Sequence, residues 1–393
     1  MTVNTSTVSE RLSLVERSTT SFLRYLVLIP LLAPKGLDSL VPGYKSFMTF
    51  WSMLALAMLL LDSIFRLHGK KRIPAPYFGL IAYFIVAFVV SAFSVKGIVN
   101  GLQELFFFPV AFLYLIELDQ AEFRDYCVAT AYILCALFLA ELVLPASLLS
   151  GNYHMTFLGH VQVFSQYGLL AFTLACFIYL KKWASRFVAI LLATLGLISM
   201  LAVDADSAHL CVAVFVIVLL VKMISPSDWR IDFRFIVVLS IVVSGFIVWV
   251  TIARRSPLIG TSLDWTFNGR LFVWESASTL IKDSFLFGYG VENSVIATFW
   301  SSGMSYAHNQ VMQSLVDGGV VLLIAMVWML CSVARCVNHI SDEKVRSVAV
   351  AVLCALLFVL IFDSFTPYSY VYILLALVSR EGLLSKDGAN NEV

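Results

Sequence analysis

Residues 234–253 read RFIVVLSIVVSGFIVWVTIA, twenty positions with one charged side chain, at the first of them. A helix rises about 1.5 Å per residue, so a run of about 20 apolar residues can cross the hydrocarbon core of a membrane. The whole chain shares this character, because 60% of its 393 residues are hydrophobic and only 13% are charged. With a mean hydropathy of +0.91, the composition excludes an ordinary soluble globule and predicts a polytopic membrane protein.

About twelve apolar runs approach the length of a membrane-spanning helix. We therefore predict an all-α integral membrane protein, a bundle of about twelve transmembrane helices. The predicted spans lie at residues 21–41, 46–66, 74–95, 99–118, 126–149, 160–180, 184–203, 207–224, 234–253, 308–334, 345–363 and 367–383. They form one membrane domain, 21–383, between an N-terminal tail, 1–20, and a polar C-terminal tail, 384–393.

Lysine and arginine are concentrated in alternate loops of this predicted bundle. These positive loops lie at 66–72, 181–186, 222–234 and 335–346. Short cytoplasmic loops retain positive charge, so we predict that these loops and both termini are cytoplasmic. The exception is the large loop 254–307 between the ninth and tenth spans, which must be extracytoplasmic yet holds Arg254, Arg255 and Arg270. A loop that breaks the charge rule in this way suggests a use for its cations.

The sequence gives no indication of a metal or cofactor site. All seven cysteines lie in or beside apolar spans, so we interpret them as small core residues rather than disulfides or ligands. Asp204 and Asp206 imitate the DxD pattern of soluble glycosyltransferases, but they face outward, where nucleotide sugars are absent, and are interpreted as loop acids. Intramembrane or boundary acids are functional hypotheses by default. Glu104, Glu141 and Asp363 are of this kind, and only Asp363 is predicted to lie near the site.

The large loop carries its own local pattern. Leu271, Trp274, Ala277 and Ile281 recur at helical spacing, which predicts an amphipathic helix along the outer membrane surface that ends at 283–284. The Phe-Gly-Tyr-Gly sequence at 287–290 then predicts a tight turn, because glycine enters positive φ freely. The serines and glycine at 301–305 predict a second flexible stretch before the chain re-enters the membrane.

We place His308 in the first turn of the tenth span, where the positive end of the helix dipole favours a neutral imidazole. The same helix start attracts phosphate, and a bound diphosphate would raise the histidine pKa again, so the two effects oppose each other. Gly319 falls on the His308 face and would let a neighbouring helix approach closely. Asp317 shares a stripe with Gln310 and Gln313 and must have a partner or be neutral.

At these positions the chain resembles the O-antigen ligase and Wzy-type polymerase superfamily of bacterial polysaccharide assembly. Members carry an arginine, a tryptophan, a P-x-x-G-x-G turn, and then His-Asn followed by an acid and a glycine on the next helix. The corresponding residues are Arg270, Trp274, Gly288, Gly290, His308, Asn309, Asp317 and Gly319. The resemblance is strongest over 270–322 and extends to the whole chain in the number of spans and the place of the large loop.

Three positions depart from the superfamily pattern. Phe285 stands where proline is usual, and Leu322 where a second small residue is common. Ser207-Ala208 stands where many members carry Ser-Arg, so one phosphate-binding arginine is absent there. The prediction gives that role to Arg254 or Arg255 instead.

The resemblance implies a metal-independent, inverting glycosyltransferase of the GT-C type without a cofactor, multi-pass in the bacterial cytoplasmic membrane. Its donor would be a polyprenyl-diphosphate-linked oligosaccharide at the outer face, and its partners an acceptor glycan, membrane lipids and, as the resemblance also allows, a chain-length regulator, with no nucleic acid. His308 is the candidate base and Arg270 the candidate catalytic diphosphate ligand. Substrate binding is assigned to Arg254, Arg255, Asn309, Gly288, Gly290 and Asp363, and structural roles to Trp274, Asp317 and Gly319.

Three functions remain open at this stage. We favour a polymerase that joins lipid-linked repeat units; the first alternative is an O-antigen ligase, which differs in its acceptor, lipid A-core. The second alternative is a lipid-linked oligosaccharide flippase or other transporter. Transporters commonly show inverted repeats and broken helices at mid-membrane. No such symmetry is apparent, and the polar residues concentrate at one face, which favours an enzyme.

Overall fold

The computed structural model describes residues 25–67, 75–93, 101–144, 155–203, 205–224, 232–253, 270–298 and 301–391. Within these ranges the regular structure is helical except for one short hairpin. The predicted class, an all-α membrane protein, is confirmed, since six of the described helices are long and apolar enough to cross a membrane. The count of about twelve spans and the extracytoplasmic placement of the loop stay predictions.

The described residues form twelve numbered helices and two short strands. In chain order they are α1 (Tyr44–Leu67), α2 (Ala75–Ala92), α3 (Phe108–Glu117), α4 (Gln120–Val143), α5 (Phe164–Lys181), α6 (Arg186–Ala202), α7 (Asp206–Ile224), α8 (Phe233–Ala253), α9 (Arg270–Asp283), β1 (Ile296–Thr298), β2 (Ser301–Met304), α10 (Gln310–Asn338), α11 (Glu343–Val359) and α12 (Ser369–Asn391). Three short helices complete the list: a 3-10 helix at Lys35–Ser39, a π-helix at Gln103–Phe107 ahead of α3, and a 3-10 helix at Val161–Val163 ahead of α5.

The predicted spans between 160 and 363 each coincide with one helix to within four residues. The first predicted span, 21–41, is wrong as one continuous helix. Residues 25–31 are helical, but the chain then leaves the helix and Pro34 caps the 3-10 helix Lys35–Ser39. Proline lacks an N–H group and disfavours a helical residue before it, which accounts for the break. At the other end of the chain, α12 runs on to Asn391, so most of the predicted polar tail continues that helix.

Polar contacts join the loops at one end of the bundle. Arg66, at the end of α1, pairs with Glu122 at the start of α4 (Nη1 to Oε2, 2.7 Å). Lys181, at the end of α5, pairs with Glu381 of α12 (2.8 Å). The Asn338 amide, at the end of α10, donates to Asp232 ahead of α8 (2.7 Å). These are loops predicted to be cytoplasmic, and the starts of α5 and α10 therefore lie at the opposite end.

The core is largest around α5, α11 and α12, whose side chains are buried for most of their length. A second, smaller hydrophobic cluster lies between α9, the hairpin, the first turns of α10 and Val248 of α8. Trp274 and Ile296 are both fully buried in it. This second cluster attaches the segment that follows α8 to the bundle, and so it fixes where the residues of that segment lie.

Helix α10 is broken in its third turn. Gly318 (φ −147°, ψ 18°) and Gly319 (φ 64°, ψ −162°) leave the helical conformation, and the backbone groups on either side lose their usual partners. The turn at 284–290 supplies replacements. Tyr289 N donates to Val316 O (2.8 Å), Gly290 N to Asp317 O (2.7 Å), and Val320 N donates to Phe285 O (2.9 Å). The loop between α9 and the hairpin is thereby hydrogen-bonded into the break.

Candidate functional site

Arg270 is the first residue of α9, and the packing of that helix buries it to 8% exposure. The apolar face predicted for α9 is confirmed at Leu271, Trp274 and Ala277, which pack into the second hydrophobic cluster. Trp274 also donates from its indole nitrogen to Ala307 O (3.1 Å). The tryptophan therefore ties the Arg270 helix directly to the residue before His308.

The predicted flexible stretch at 301–305 is wrong in part, because Ser301–Met304 forms strand β2. It pairs antiparallel with β1, with Ile296 opposite Met304 and Thr298 opposite Ser301. Serine and glycine have low strand propensity, but pairing with a strand anchored by buried Ile296 overrides it. The hairpin brings the chain back beside α9 just before His308.

His308 precedes α10 rather than lying in its first turn, which corrects the prediction. Its backbone is in the left-handed region (φ 51°), and Asn309 is the N-cap, accepting from Met312 N at 3.0 Å. The imidazole packs edge-on against the Tyr306 ring, with centroids 4.6 Å apart. Because His308 is outside the helix and Gly319 sits at a break, the expected common helix face of these two residues does not exist.

The His308 side chain is held neutral. Burial and, to a smaller extent, the nearby positive charges of Arg270 and His160 together lower its pKa to about 3. A neutral imidazole was predicted from the helix dipole, and burial and the charge of Arg270 act in the same direction. Among the described residues the buried Nδ1 atom has no hydrogen-bond partner. One ring nitrogen is thus left for a proton or a ligand.

Arg270 lies beside Asp363, in the segment that follows α11. Burial lowers the pKa of Arg270, and the charges of Asp363, Tyr306 and Asp206 oppose that shift. No described residue forms an ion pair with it, and its buried Nε atom has no partner within the described ranges. A buried guanidinium with an unused donor favours a bound anion.

Asp363 is 1% exposed and well supplied with hydrogen bonds. It accepts from the Tyr306 hydroxyl, from Gln166 Nε2 (3.1 Å) and from Ser364 N (2.9 Å). Burial raises its pKa to about 6, and those hydrogen bonds and Arg270 oppose the shift. The structure therefore brings together Arg270, His308 and Asp363, three residues that were predicted for the site from distant parts of the sequence.

Asn309 was predicted to bind substrate, and its contacts favour a structural role instead. It is fully buried, and its amide donates to Ser244 Oγ (2.9 Å) and to Ile361 O (2.8 Å) while its oxygen caps α10. Both amide protons are used inside the protein, so none is left for a sugar hydroxyl. Asn309 joins α8, α10 and the segment after α11, and by doing so it positions His308.

Gly288 and Gly290 were also predicted to bind substrate. Both have positive φ (61° and 93°), as expected for the turn, and they lie against the break in α10. A Cβ added at Gly288 would lie 2.5 Å from Val316 O, and one added at Gly319 would overlap the carbonyl group of Leu286. The close approach predicted for Gly319 is confirmed, but the neighbour is this turn rather than a helix. The contacts of all three glycines are structural, and substrate contact by Gly288 and Gly290 stays a prediction.

The buried carboxyl group of Asp317 has a hydrogen-bond partner, as a buried acid requires. Gln313 Nε2, one turn earlier on the same stripe, donates to both carboxylate oxygens (2.9 and 3.0 Å). The Gln313 oxygen in turn accepts from Ala307 N (2.7 Å), so the pair also holds the chain leading into His308. Gln310, expected on the same stripe, instead binds Phe365 N (2.8 Å) and helps to hold the segment that carries Asp363.

Sequence reasoning missed two members of the site. Tyr306 and Gln166 both bind Asp363, and neither stands out as a lone charge or a motif residue. Tyr306 could have been found from its place two residues before His308, whereas Gln166, on α5, gives no such indication. Arg254 and Arg255, the predicted additional phosphate ligands, lie outside the described residues. Within the described part of the chain, no group of three or more His, Cys, Asp or Glu side chains could hold a metal ion.

The fold and the site define a multi-pass membrane protein with a buried Arg-His-Asp site at one end of its helical bundle. Residues 191–327 match the model of the family described as O-Antigen ligase. The match runs from α6 into α10 and includes Arg270, the turn glycines and His308, and it confirms the predicted resemblance to the O-antigen ligase and Wzy-type polymerase superfamily. It connects the chain with O-antigen and polysaccharide biosynthesis at a membrane. No curated protein matches the sequence.

Proposed function

We propose that this protein is an inverting glycosyltransferase that moves a glycan from polyprenyl diphosphate to a sugar hydroxyl. The observation that carries the proposal is the pairing of buried Arg270 with neutral His308, each with a nitrogen that has no partner among the described residues. Arg270 supplies a positive charge that stabilises a departing diphosphate, and His308 supplies a proton acceptor for an attacking hydroxyl. The family match supports the same class of reaction.

In the proposed reaction, the acceptor hydroxyl oxygen bonds to the anomeric carbon from the side opposite the diphosphate. The bond from that carbon to the diphosphate oxygen breaks, its electron pair stays on the diphosphate, and the hydroxyl proton passes to His308. Arg270 stabilises the leaving charge with paired hydrogen bonds in a site of low dielectric. A single displacement of this kind inverts the anomeric configuration.

Donor binding tunes the base. In the free protein the pKa of His308 is about 3, partly because of the positive charge of Arg270, so its imidazole is a weak base. A diphosphate bound at Arg270 offsets that charge and raises the histidine pKa. His308 therefore becomes a better proton acceptor only when the donor is in place, which limits proton transfer to the loaded site.

We further propose that the enzyme acts as a polymerase at the outer face of the bacterial cytoplasmic membrane. In this arrangement about twelve spans place the loop 254–307 outside and both termini in the cytoplasm. In the ligase alternative, to which the name of the matched family corresponds, lipid A-core is the acceptor. The two functions share the donor, Arg270 and His308, and they differ only in what binds on the acceptor side. Neither the site nor the family match supports a flippase.

The decisive experiment supplies purified protein in detergent with polyprenyl-diphosphate oligosaccharide, alone and then with lipid A-core, in the presence of EDTA. A ladder from the donor alone supports a polymerase, and product only with lipid A-core supports a ligase. Arg270→Ala and His308→Ala should each lower transfer by about a hundredfold or more, without lowering the amount of folded protein. Full activity in either variant would remove that residue from the mechanism, and activity that EDTA abolishes would overturn the metal-independent reaction.

A further inference from the structure

A second polar cluster lies beside the Arg270 site, and the proposed transfer reaction does not use it. Its charged members, Lys35, Glu104 and Glu292, interact electrostatically with one another. The Glu104 and Glu292 carboxyl groups are within hydrogen-bonding range, so one of them carries the shared proton and the pair still presents oxygen acceptors. Lys35 is exposed and both glutamates are partly exposed, so a ligand from solvent can reach all three.

An aromatic surface connects this cluster with the candidate base. Lys35 Nζ lies 4.9 Å from the centroid of the Tyr368 ring and donates to Pro367 O at 3.1 Å. The Tyr368 ring is 6.2 Å from that of Tyr306, which in turn is 4.6 Å from the His308 ring. A continuous row of side chains therefore runs from His308 to Lys35.

A buried hydroxyl along this row has no partner in the described part of the chain. Tyr370 is 2% exposed and its ring stacks on that of Tyr368, with centroids 5.4 Å apart. Its hydroxyl makes no hydrogen bond to any described residue, and its electrostatic neighbours include Tyr368 and Asp363. A buried unpaired hydroxyl is unfavourable unless a ligand satisfies it.

Three separate segments hold the cluster in place. Lys35 begins the 3-10 helix that follows the helical residues 25–31, and Glu104 lies on the π-helix ahead of α3. Such π turns are frequent at functional sites. Glu292 has a positive φ (56°), and the amide of the preceding residue, Val291, donates to Ser91 Oγ (3.0 Å) on α2. Contacts made elsewhere in the fold thus impose this arrangement on the three charged side chains.

We propose that Lys35, Glu104, Glu292 and Tyr368 bind one uncharged sugar residue of the acceptor glycan. A sugar ring has a rim of hydroxyl groups, which donate to carboxylate oxygens and accept from an ammonium group, and a C–H face that packs on a tyrosine ring. An anionic sugar would meet the remaining carboxylate of the glutamate pair and be disfavoured. The inference rests on the proposed glycosyltransferase function.

The location identifies this subsite with the acceptor rather than the donor diphosphate. Arg270 interacts with Asp363, Tyr306 and Asp206, whereas Lys35 and Glu104 interact with each other and with Glu292. The cluster is instead reached from His308 by way of Tyr306 and Tyr368. His308 is the proposed base for the acceptor hydroxyl. A sugar bound at Tyr368 would lie on the side of His308 that faces Tyr306.

The test measures binding and transfer separately with full-length protein in detergent. The probe is the oligosaccharide released by mild acid from the cell's own polyprenyl-diphosphate-linked pool, and its Kd is measured by saturation-transfer NMR. Glu104→Gln, Glu292→Gln and Tyr368→Phe change little in size, and Glu275→Gln on the exposed face of α9 is the matched control. We expect the two glutamate variants to weaken binding of the probe at least tenfold and to raise the acceptor KM, while kcat and binding of undecaprenyl diphosphate stay near the wild type. Tyr368→Phe keeps the ring and should change binding little, whereas Tyr368→Ala should weaken it.

The outcomes separate this inference from the proposed function. Wild-type transfer together with unchanged probe binding and acceptor KM in both glutamate variants would overturn the acceptor subsite and leave the enzyme in place. If the wild type transfers nothing but the glutamate variants still lose probe binding relative to Glu275→Gln, the glycan site stands and the transfer reaction fails. If the glutamate variants lose thermal stability and undecaprenyl diphosphate binding to the same extent as probe binding, the glutamates maintain the fold. That result would also overturn the proposal.

Discussion

Replacing Gly319 by alanine tests how the site is assembled. Gly319 has φ 64° and ψ −162°, a region that only glycine occupies readily, and an added Cβ would overlap the carbonyl group of Leu286. Holding alanine in this region costs of order 1–3 kcal/mol. The alternative is that the turn at 284–290 moves away and gives up its backbone hydrogen bonds across the break, each worth about 0.5–1.5 kcal/mol.

The protein will adopt whichever of these responses costs less, so we expect Gly319→Ala to destabilise it by about 1–3 kcal/mol. The matched control is Gly245→Ala on α8, where an added Cβ would meet nothing within 4 Å. Alanine favours a helix over glycine by about 1 kcal/mol, so this control should melt at the wild-type temperature or above it.

Thermal unfolding in detergent, followed by intrinsic fluorescence, measures the difference between the two variants. Tryptic cleavage after exposed Lys282, at the end of α9, reports separately on whether the turn has moved. Gly319→Ala should melt several degrees below Gly245→Ala and be cut faster at Lys282. Equal melting temperatures and equal cleavage rates would refute the inference that the turn is fixed by its insertion into the α10 break.

Three further predictions concern the site itself. Arg270→Gln should raise the pKa of His308, because it removes a positive charge that lowers that pKa. NMR of labelled histidine measures this pKa, and His308→Gln assigns the signal. An unchanged pKa would show that the two side chains are not neighbours. The pKa of Asp363 is about 6, so its carboxylate becomes protonated below that pH, and wild-type kcat/KM should fall as the pH drops through about 6. Asp363→Asn should be less active and lack that inflection, and an inflection that persists in this variant would assign it to another group. Asn309→Ala removes three buried hydrogen bonds and should lower the free energy of unfolding by about 2–4 kcal/mol. The folded fraction should still bind undecaprenyl diphosphate. Loss of that binding without a change in melting temperature would place Asn309 in contact with the donor.

Much of the fold could be predicted because apolar runs and loop charges are local properties of the sequence. The helices between 160 and 363 were located to within four residues on this basis. Predictions that depended on tertiary contacts were less accurate. The run at 21–41 is mostly apolar, but the helix ends before Pro34, and the backbone amides of Lys35 and Gly36 donate to the carbonyl groups of residues 158 and 157. The serine-rich stretch at 301–305 became a strand because another strand lies beside it.

The sequence by itself determined the membrane class, the helix pattern and the residue types of the site, since hydropathy and motif spacing need no knowledge of distant contacts. Only the tertiary structure decided what those residues contact. Burial and the charge of Arg270 lower the pKa of His308, and Asn309 is a buried cap whose predicted substrate contact stays a prediction. Tyr306 and Gln166 joined the site through a shared carboxylate, and Glu104 met Glu292 across the fold. Electrostatic and hydrogen-bond effects act over a few ångströms, and the folded chain alone sets which groups come that close.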